Sequence, residues 1–304
     1  MIHPSPTLSD GAAENRARLA LTARDPEVLE LFRGIRFATT SQLAALLVPQ
    51  AFPTAHRLRL RLGKLERKGF LDRPARRRSV KSRVEYELRS DARLRGRPED
   101  IWALAQAGAK LLKLPGDWNR NNGRLRPGAF AHPLMVTKVF LTLAHAADRG
   151  LLDLEEWVGE NGRRLRVVLD GVPRSLAPDG SFRLVDHRTE AEAPLVFLEA
   201  DNHTEPLTRI AFGQSAFRTK CVLYWHHWLS AVRPQQGAMI VLVVAKTATW
   251  AESLRRTAKE ADAHGRGLNL FWFTSEDRWT ITAPEEFLYA PIWTTAAGEQ
   301  RAIF

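Results

Sequence analysis

Cysteine is all but missing from this chain: Cys221 is the single one in 304 residues. No intrachain disulfide can form, so a fold held by cystines is excluded and a reducing compartment, the cytoplasm, is expected. Long apolar runs are missing as well. The longest, Ala238-Met239-Ile240-Val241-Leu242-Val243-Val244-Ala245, has the length of a buried strand and falls far short of the ~20 residues of a membrane span. The opening stretch, MIHPSPTLSDGAAENRARL, has no apolar core of the signal-peptide kind. A phosphate-cradling glycine loop, a nucleophile elbow and a Ser-His-Asp order are also lacking, since Gly11, Gly34 and Gly63 stand isolated. No internal repeat is visible either.

What is present is a local excess of one charge. From His56 to Arg97 there are 16 Lys/Arg against 5 Asp/Glu, a balance of +11, and +11 is also the net charge of the whole chain. The remaining residues hold 29 of each sign, from 45 − 16 and 34 − 5. A neutral body carrying one basic segment is the distribution of a protein that meets a polyanion at one face, because phosphates bind by neutralisation and counterion release. The length suits about two domains of ~150 residues.

The period of the sequence places the basic window on definite elements. Asp25-Pro26 reads as an N-cap followed by proline in the first helical turn, with Val28, Leu29, Leu31, Phe32 and Ile35 as the apolar face. Thr39 or Thr40 caps a second short helix through Leu47, and Thr54 caps a third. In the third, Leu58, Leu62 and Leu65 recur at helical spacing, and Arg57, Arg61, Lys64 and Lys68 recur beside them as a row of cations. Three short helices, then Gly69-Phe70-Leu71 entering an arginine-rich stretch, predict a winged helix-turn-helix over residues 25–114, after a flexible N-terminus at 1–24. In such a module the third helix enters the major groove and a β-hairpin wing follows the phosphates. Arg76, Arg77, Arg78, Lys81 and Arg83 fall in the wing; its return strand is Val84–Leu88 or Ile101–Leu104.

Residues 115–132, rich in Gly, Pro and Asn, read as a linker. Beyond it, over 133–304, helices and strands alternate. A helix is expected from Leu134 to Arg149, strands at Leu165–Leu169, Ser181–Val185 and Pro194–Glu199, a long helix from about Leu207 to Ser230, a strand at Met239–Ala245, a helix near Trp250–His264 and a strand at Leu268–Phe273. Asp179 opens one strand and Glu199-Ala200-Asp201 closes the next, so neighbouring strands would bring Asp179 and Glu199 together, with Glu199 and Asp201 on one face. Carboxylates converging in this way form a hard oxygen site of the kind Mg²⁺ prefers, and such an ion can activate water against a phosphodiester. His226-His227 has no ligand spacing to any cysteine and reads as aromatic packing. His203, two residues after Asp201, reads as a turn residue bonded to backbone or as a further ligand.

This arrangement resembles the PD-(D/E)XK nuclease-like superfamily. The phrase Phe197-Leu198-Glu199-Ala200-Asp201-Asn202-His203-Thr204-Glu205-Pro206-Leu207-Thr208-Arg209, followed by Gln214 to Lys220 and Tyr224, resembles the bacterial replication-relaxation family more closely. Gly69-Phe70-Leu71, Ala103 to Gly108, His132-Pro133-Leu134 and Pro178-Asp179 fall in the order that family shows. The resemblance implies an α/β protein in which an N-terminal winged helix precedes a restriction-endonuclease-like α/β domain. It also implies a role in plasmid or mobile-element replication or mobilisation, or in its regulation, and a bacterial, nucleoid- or plasmid-associated location. The chain departs from the nuclease pattern where a lysine usually stands two residues after the second acid, because Asp201 occupies that place; Lys220 and then Arg209 are the cations that could serve instead.

Three functions follow. The first is a DNA-binding factor gripping duplex DNA through the basic winged helix, whose partners are double-stranded DNA, a second copy as a homodimer, and a relaxase or replication protein. The second is a Mg²⁺-dependent endonuclease or nickase with Asp179, Glu199, Lys220 and Arg209 as catalytic groups and Asp179, Glu199 and Asp201 as metal ligands. The third is a scaffold whose basic segment binds acidic proteins. A membrane partner is not expected.

Overall fold

The computed structural model describes residues 21–48, 50–74, 100–115, 130–160, 162–202, 207, 216–235, 237–262, 265 and 267–304. The predicted wing cations Arg76, Arg77, Arg78, Lys81 and Arg83 lie outside the described residues, as do Arg209, His203, the first 20 residues and most of the expected linker. The chain divides into two compact units, Met1–Phe130 and Ala131–Phe304.

In the first unit, α1 (Asp25–Gly34) buries Val28, Leu29 and Phe32, with Pro26 in its first turn. Arg24 holds the N-cap position expected for Asp25. The Asp25 carboxylate is turned instead onto the Thr22 N–H at 2.7 Å and onto the Arg61 guanidinium. A two-residue strand β1 (Ala38–Thr39) leads into α2 (Thr40–Leu47), whose start is fixed by a reciprocal capping box between Thr39 and Gln42. Helix α3 (Ala55–Arg67) begins at the Thr54 hydroxyl, which accepts the Arg57 N–H at 3.2 Å, and buries Leu58, Leu62 and Leu65. Gly69, at φ 75°, ends it. Its N–H bonds the Glu66 carbonyl at 2.9 Å and that of Phe70 the Leu65 carbonyl at 3.0 Å, closing the helix end that only a left-handed residue allows. Strands β2 (Leu71–Asp72) and β3 (Ile101–Leu104) are antiparallel, and β3 lies between β1 and β2 in a three-stranded sheet. Ile101–Leu104 therefore pairs as the returning strand, and α4 (Gln106–Leu111) follows.

The second unit is mixed α/β. Its elements run α5 (Ala131–Asp148), β4 (Leu152–Val158), β5 (Leu165–Leu169), β6 (Val172–Leu176), β7 (Gly180–Asp186), β8 (Leu195–Asp201), α6 (Phe217–His227), β9 (Met239–Ala245), α7 (Ala248–Ala261), β10 (Phe271–Ser275), α8 (Pro284–Tyr289), β11 (Trp293–Thr295) and β12 (Gln300–Arg301). Seven strands form one sheet in the order β12-β11-β10-β9-β8-β7-β4. Its centre, β8-β9-β10, is parallel and its flanks antiparallel. Every residue of β9 is buried, as expected for a strand covered on both faces. On one side α5 and α8 contribute Val139, Leu143 and Phe287 to a core with Leu198 and Leu242; on the other α6 and α7 pack Phe217, Cys221 and Leu254 against Phe197, Val241 and Phe273.

Two expectations are corrected here. The predicted first strand, Leu165–Leu169, belongs to a separate two-stranded hairpin with β6, and Leu152–Val158 takes its place beside β7. The alternation of Leu152–Val158 breaks at Glu155-Glu156, where Glu156 sits at φ 52° and the pairing register shifts, so a period-two reading misses it. The predicted helix from Leu207 to Ser230 is described only from Phe217, and its last turn widens to a π-turn at Trp228–Val232. No helix among the described residues is long and apolar enough to cross a membrane.

Candidate functional site

Two sites carry the charged residues singled out above, one in each unit. On α3 the residues Arg57, Leu60, Lys64 and Arg67 lie within about 80° of arc at ~100° per residue, and all four are exposed. The buried stripe of Leu58, Leu62 and Leu65 holds this face outward. Leu60 is 49% exposed in the middle of the cations. Arg61, predicted as one of the row, is a correction: its side chain is only 16% exposed and forms a two-point ion pair with the fully buried Asp25. Arg73 is also used internally, against Glu66 and Asp100, with its guanidinium 5.0 Å over the Trp102 ring. Lys68 is half-buried at the helix end. Arg67, which sequence reading did not include, was signalled by its spacing of three from Lys64.

In the second unit the sheet ends assemble a buried ion network. β7 pairs with β8 only from Gly180↔Leu198 to Phe182↔Val196, so the Ala200 peptide has lost its strand partner on that edge. Two side chains replace it. Asp179 Oδ2 accepts the Ala200 N–H at 2.8 Å, and His132 Nδ1, from the first turn of α5, meets the Ala200 carbonyl at 2.9 Å. The other nitrogen of His132, Nε2, lies 3.1 Å from Asp179 Oδ1 and 3.4 Å from Glu160 Oε1. One residue along, Glu199 points to the opposite face and is met by α6: Lys220 Nζ at 2.8 Å on Oε2 and the Tyr224 hydroxyl at 2.6 Å on Oε1.

The charge states follow from this geometry. A carbonyl and a carboxylate can only accept, so both His132 nitrogens must donate, and the ring is an imidazolium. Burial pulls its pKa down, but the charge and hydrogen bond of Asp179, with Glu160 behind it, raise it to about 9 against the opposing charge of Lys220. Burial likewise works against the Asp179 carboxylate, yet His132 and then Lys220 hold it below the usual range. Glu199 is raised to about 7 by burial and by its neighbour Asp179, with Lys220 and Tyr224 pulling the other way. Burial beside Glu199 raises the Tyr224 hydroxyl and the Cys221 thiol.

A pH dependence results. The raised pKa of His132 contributes stability that is complete below pH 6.5 and is lost as pH climbs through about 9. At about 1.4 kcal/mol per unit, reduced by solvent reaching a ring 31% exposed, the loss is about 2 kcal/mol. Urea melts at pH 6.5 and pH 10 should show this loss in the native chain and lack it in His132→Gln, whose amide takes no proton; an unchanged difference in the variant would exclude His132 as its source.

The sequence-predicted residues Asp179, Glu199 and Lys220 thus meet, and Asp201 lies two residues along β8, buried on the Glu199 face, its carbonyl accepting the Lys246 N–H at 3.1 Å. As arranged, the acids do not fit a divalent ion. Both oxygens of Asp179 and both of Glu199 are taken by protein donors. Among the described residues no three His, Cys, Asp or Glu side chains converge as ligands. The Lys220 ammonium and the His132 imidazolium supply the positive charge. His132 and Tyr224 stand within the resembling motifs, but their roles are not legible in the sequence, since only folding brings His132 to a carbonyl 68 residues away.

A sequence model described as replication-relaxation matches residues 29–215, taking in α3, His132, Asp179 and Glu199. No curated protein and no solved structure matches the chain.

Proposed function

The chain belongs to the replication-relaxation family, and we propose that it acts in plasmid or mobile-element replication or mobilisation by binding double-stranded DNA through the exposed basic face of α3. We read the first unit as a winged helix-turn-helix: α3 is the groove-entering helix, and β2 and β3 are the paired strands of the wing. What supports this reading most directly is that Arg57, Lys64 and Arg67 share one exposed arc of α3 while the opposite stripe is buried. Arginine and lysine on such a face neutralise phosphates, and arginine also reads guanine by its two-point donor pattern. Exposed Leu60 supplies an apolar group of the kind that meets a thymine methyl.

We read the second unit as a PD-(D/E)XK-like scaffold whose acid pair is neutralised internally, a structural element holding the end of β8. No hydrolytic step is assigned to it, because the carboxylate oxygens that would hold an ion already bond His132, Ala200, Lys220 and Tyr224.

The test is a fluorescence-anisotropy titration of labelled duplex with the full chain across a range of salt. Five to eight phosphate contacts give a log-log slope of about −5 to −7. Arg57→Glu with Lys64→Glu should weaken binding tenfold or more and reduce the slope by about 2. Affinity that ignores salt, or that the double variant leaves unchanged, would remove α3 as the DNA-binding element.

A further inference from the structure

β5 and β6 form a two-stranded antiparallel ribbon outside the seven-stranded sheet. Its turn is Asp170-Gly171, with φ of 51° and 73°, the two left-handed residues that let a tight hairpin match the twist of its strands. Residues opposed across the ribbon share a face, and the register separates the two faces. Leu165 opposite Leu176, with Val167 beside them, is buried in the core that includes Phe217 and Cys221 of α6. This burial anchors a hairpin that would be marginal alone. The other face presents Arg166 opposite Ser175 and Val168 opposite Pro173, all exposed. Arg164 precedes Arg166 by two residues and is exposed too, whereas Arg174 stands opposite Val167 on the first face.

The outer surface of the ribbon is cationic and partly apolar, and its side chains are exposed. Residues 163–176 contain four arginines against the single acid Asp170, whereas the chain outside the basic window is neutral. Val168 is 63% exposed. Arg164 and Arg166 form no ion pair with any described residue.

From this surface we infer that the β5–β6 ribbon is a second DNA-binding element, laid against a duplex with Arg164 and Arg166 on phosphates and Val168 and Pro173 toward the bases. The inference rests on the DNA-binding reading above, and it adds a contact in the second unit. Two strands about 4.8 Å apart fit a major groove about 12 Å wide. Charge complementarity selects a polyanion. An added protein strand suits this ribbon poorly, because Pro173 offers no N–H for a ladder and removes one donor from that edge.

The experiment compares three full-length proteins on the same labelled duplex: the native chain, Arg164→Ala with Arg166→Ala, and the α3 variant Arg57→Glu with Lys64→Glu. Loss of two phosphate contacts at the ribbon lowers the magnitude of the salt slope by about 2 and weakens Kd about tenfold at 0.15 M salt. Arg164→Lys with Arg166→Lys keeps the charges and should restore most of the slope. These positions are exposed, so thermal melting should coincide for all ribbon variants. A ribbon alanine variant with native Kd and slope, while the α3 variant is impaired, overturns the ribbon and leaves the α3 reading in place. A ribbon variant impaired while the α3 variant binds normally supports the ribbon and removes α3. A native chain with no salt-dependent DNA affinity overturns both.

Discussion

Asp25→Ala should lower the stability of the first unit by about 3–5 kcal/mol, the cost of breaking a buried ion pair by removing one partner. Asp25 is fully buried and its carboxylate serves Arg61 at two points and the Thr22 N–H at a third. Its removal strands a guanidinium that cannot shed its proton, because arginine stays charged at any accessible pH. The 16% exposure of Arg61 allows some rehydration, which favours the lower end of the range. Thermal denaturation should register a drop of roughly 10–20 °C. Asp25→Leu combined with Arg61→Met removes both charges and should recover most of the loss; a double variant no better than the single one would show that the charge pair is not the cause. Burial acts against the Asp25 carboxylate, but Arg61 and Thr22 outweigh it and hold its pKa down. The stability it contributes is therefore present above pH 3.8 and disappears as pH falls through that lowered value.

Lys220→Met should behave differently, because its partner has an escape. With the ammonium gone, Glu199 at 2% exposure takes up a proton and becomes neutral. In the native chain the pKa is already raised from 4.5 to about 7, so at pH 8 the extra cost of staying protonated is about 1.4 kcal/mol. The lost attraction between Lys220 and Asp179 adds about 1 kcal/mol. The expected loss is about 2–3 kcal/mol at pH 8 and about 1 kcal/mol at pH 5, where Glu199 is protonated in both proteins and only the attraction to Asp179 is missing. A raised acid pKa gives stability that is complete below the unfolded value and lost as pH rises, and the variant extends that loss to higher pH. Urea melts at the two pH values decide the matter; a penalty independent of pH would mean that Lys220 acts through packing and not through Glu199.

These two outcomes separate kinds of buried charge that the sequence presents alike. Arg61 stood in a row with Arg57, Lys64 and Lys68, at the spacing of a helix face, and nothing local distinguishes it. The row is legible because helical period is a local property, as are the caps at Thr39 and Thr54 and the buried run Met239–Ala245. That Arg61 turns inward depends on Asp25, 36 residues earlier. Asp179, Glu199 and Lys220 were each identifiable from strand ends and a motif. Their use was not, because it depends on which donors reach each oxygen. The strand Leu152–Val158 escaped notice for a local reason, a bulge that breaks the alternation.

Composition and local period are enough to show that the excess charge of this chain is concentrated on one short segment, that an amphipathic basic helix lies within it, that an α/β unit follows, and that acids gather at the ends of its strands. Those conclusions rest on composition and on periods of 3.6 and 2, which are set within a few residues. Long-range packing selects which cations remain at the surface, and sets His132 with Asp179 in place of a missing strand at Ala200. It also brings Lys220 and Tyr224 onto the oxygens of Glu199, and folds Leu165–Leu176 out as a separate arginine-bearing ribbon. Each of these depends on pairings between residues far apart in the chain, and burial, which sets the energy of every charge here, exists only once those pairings have formed.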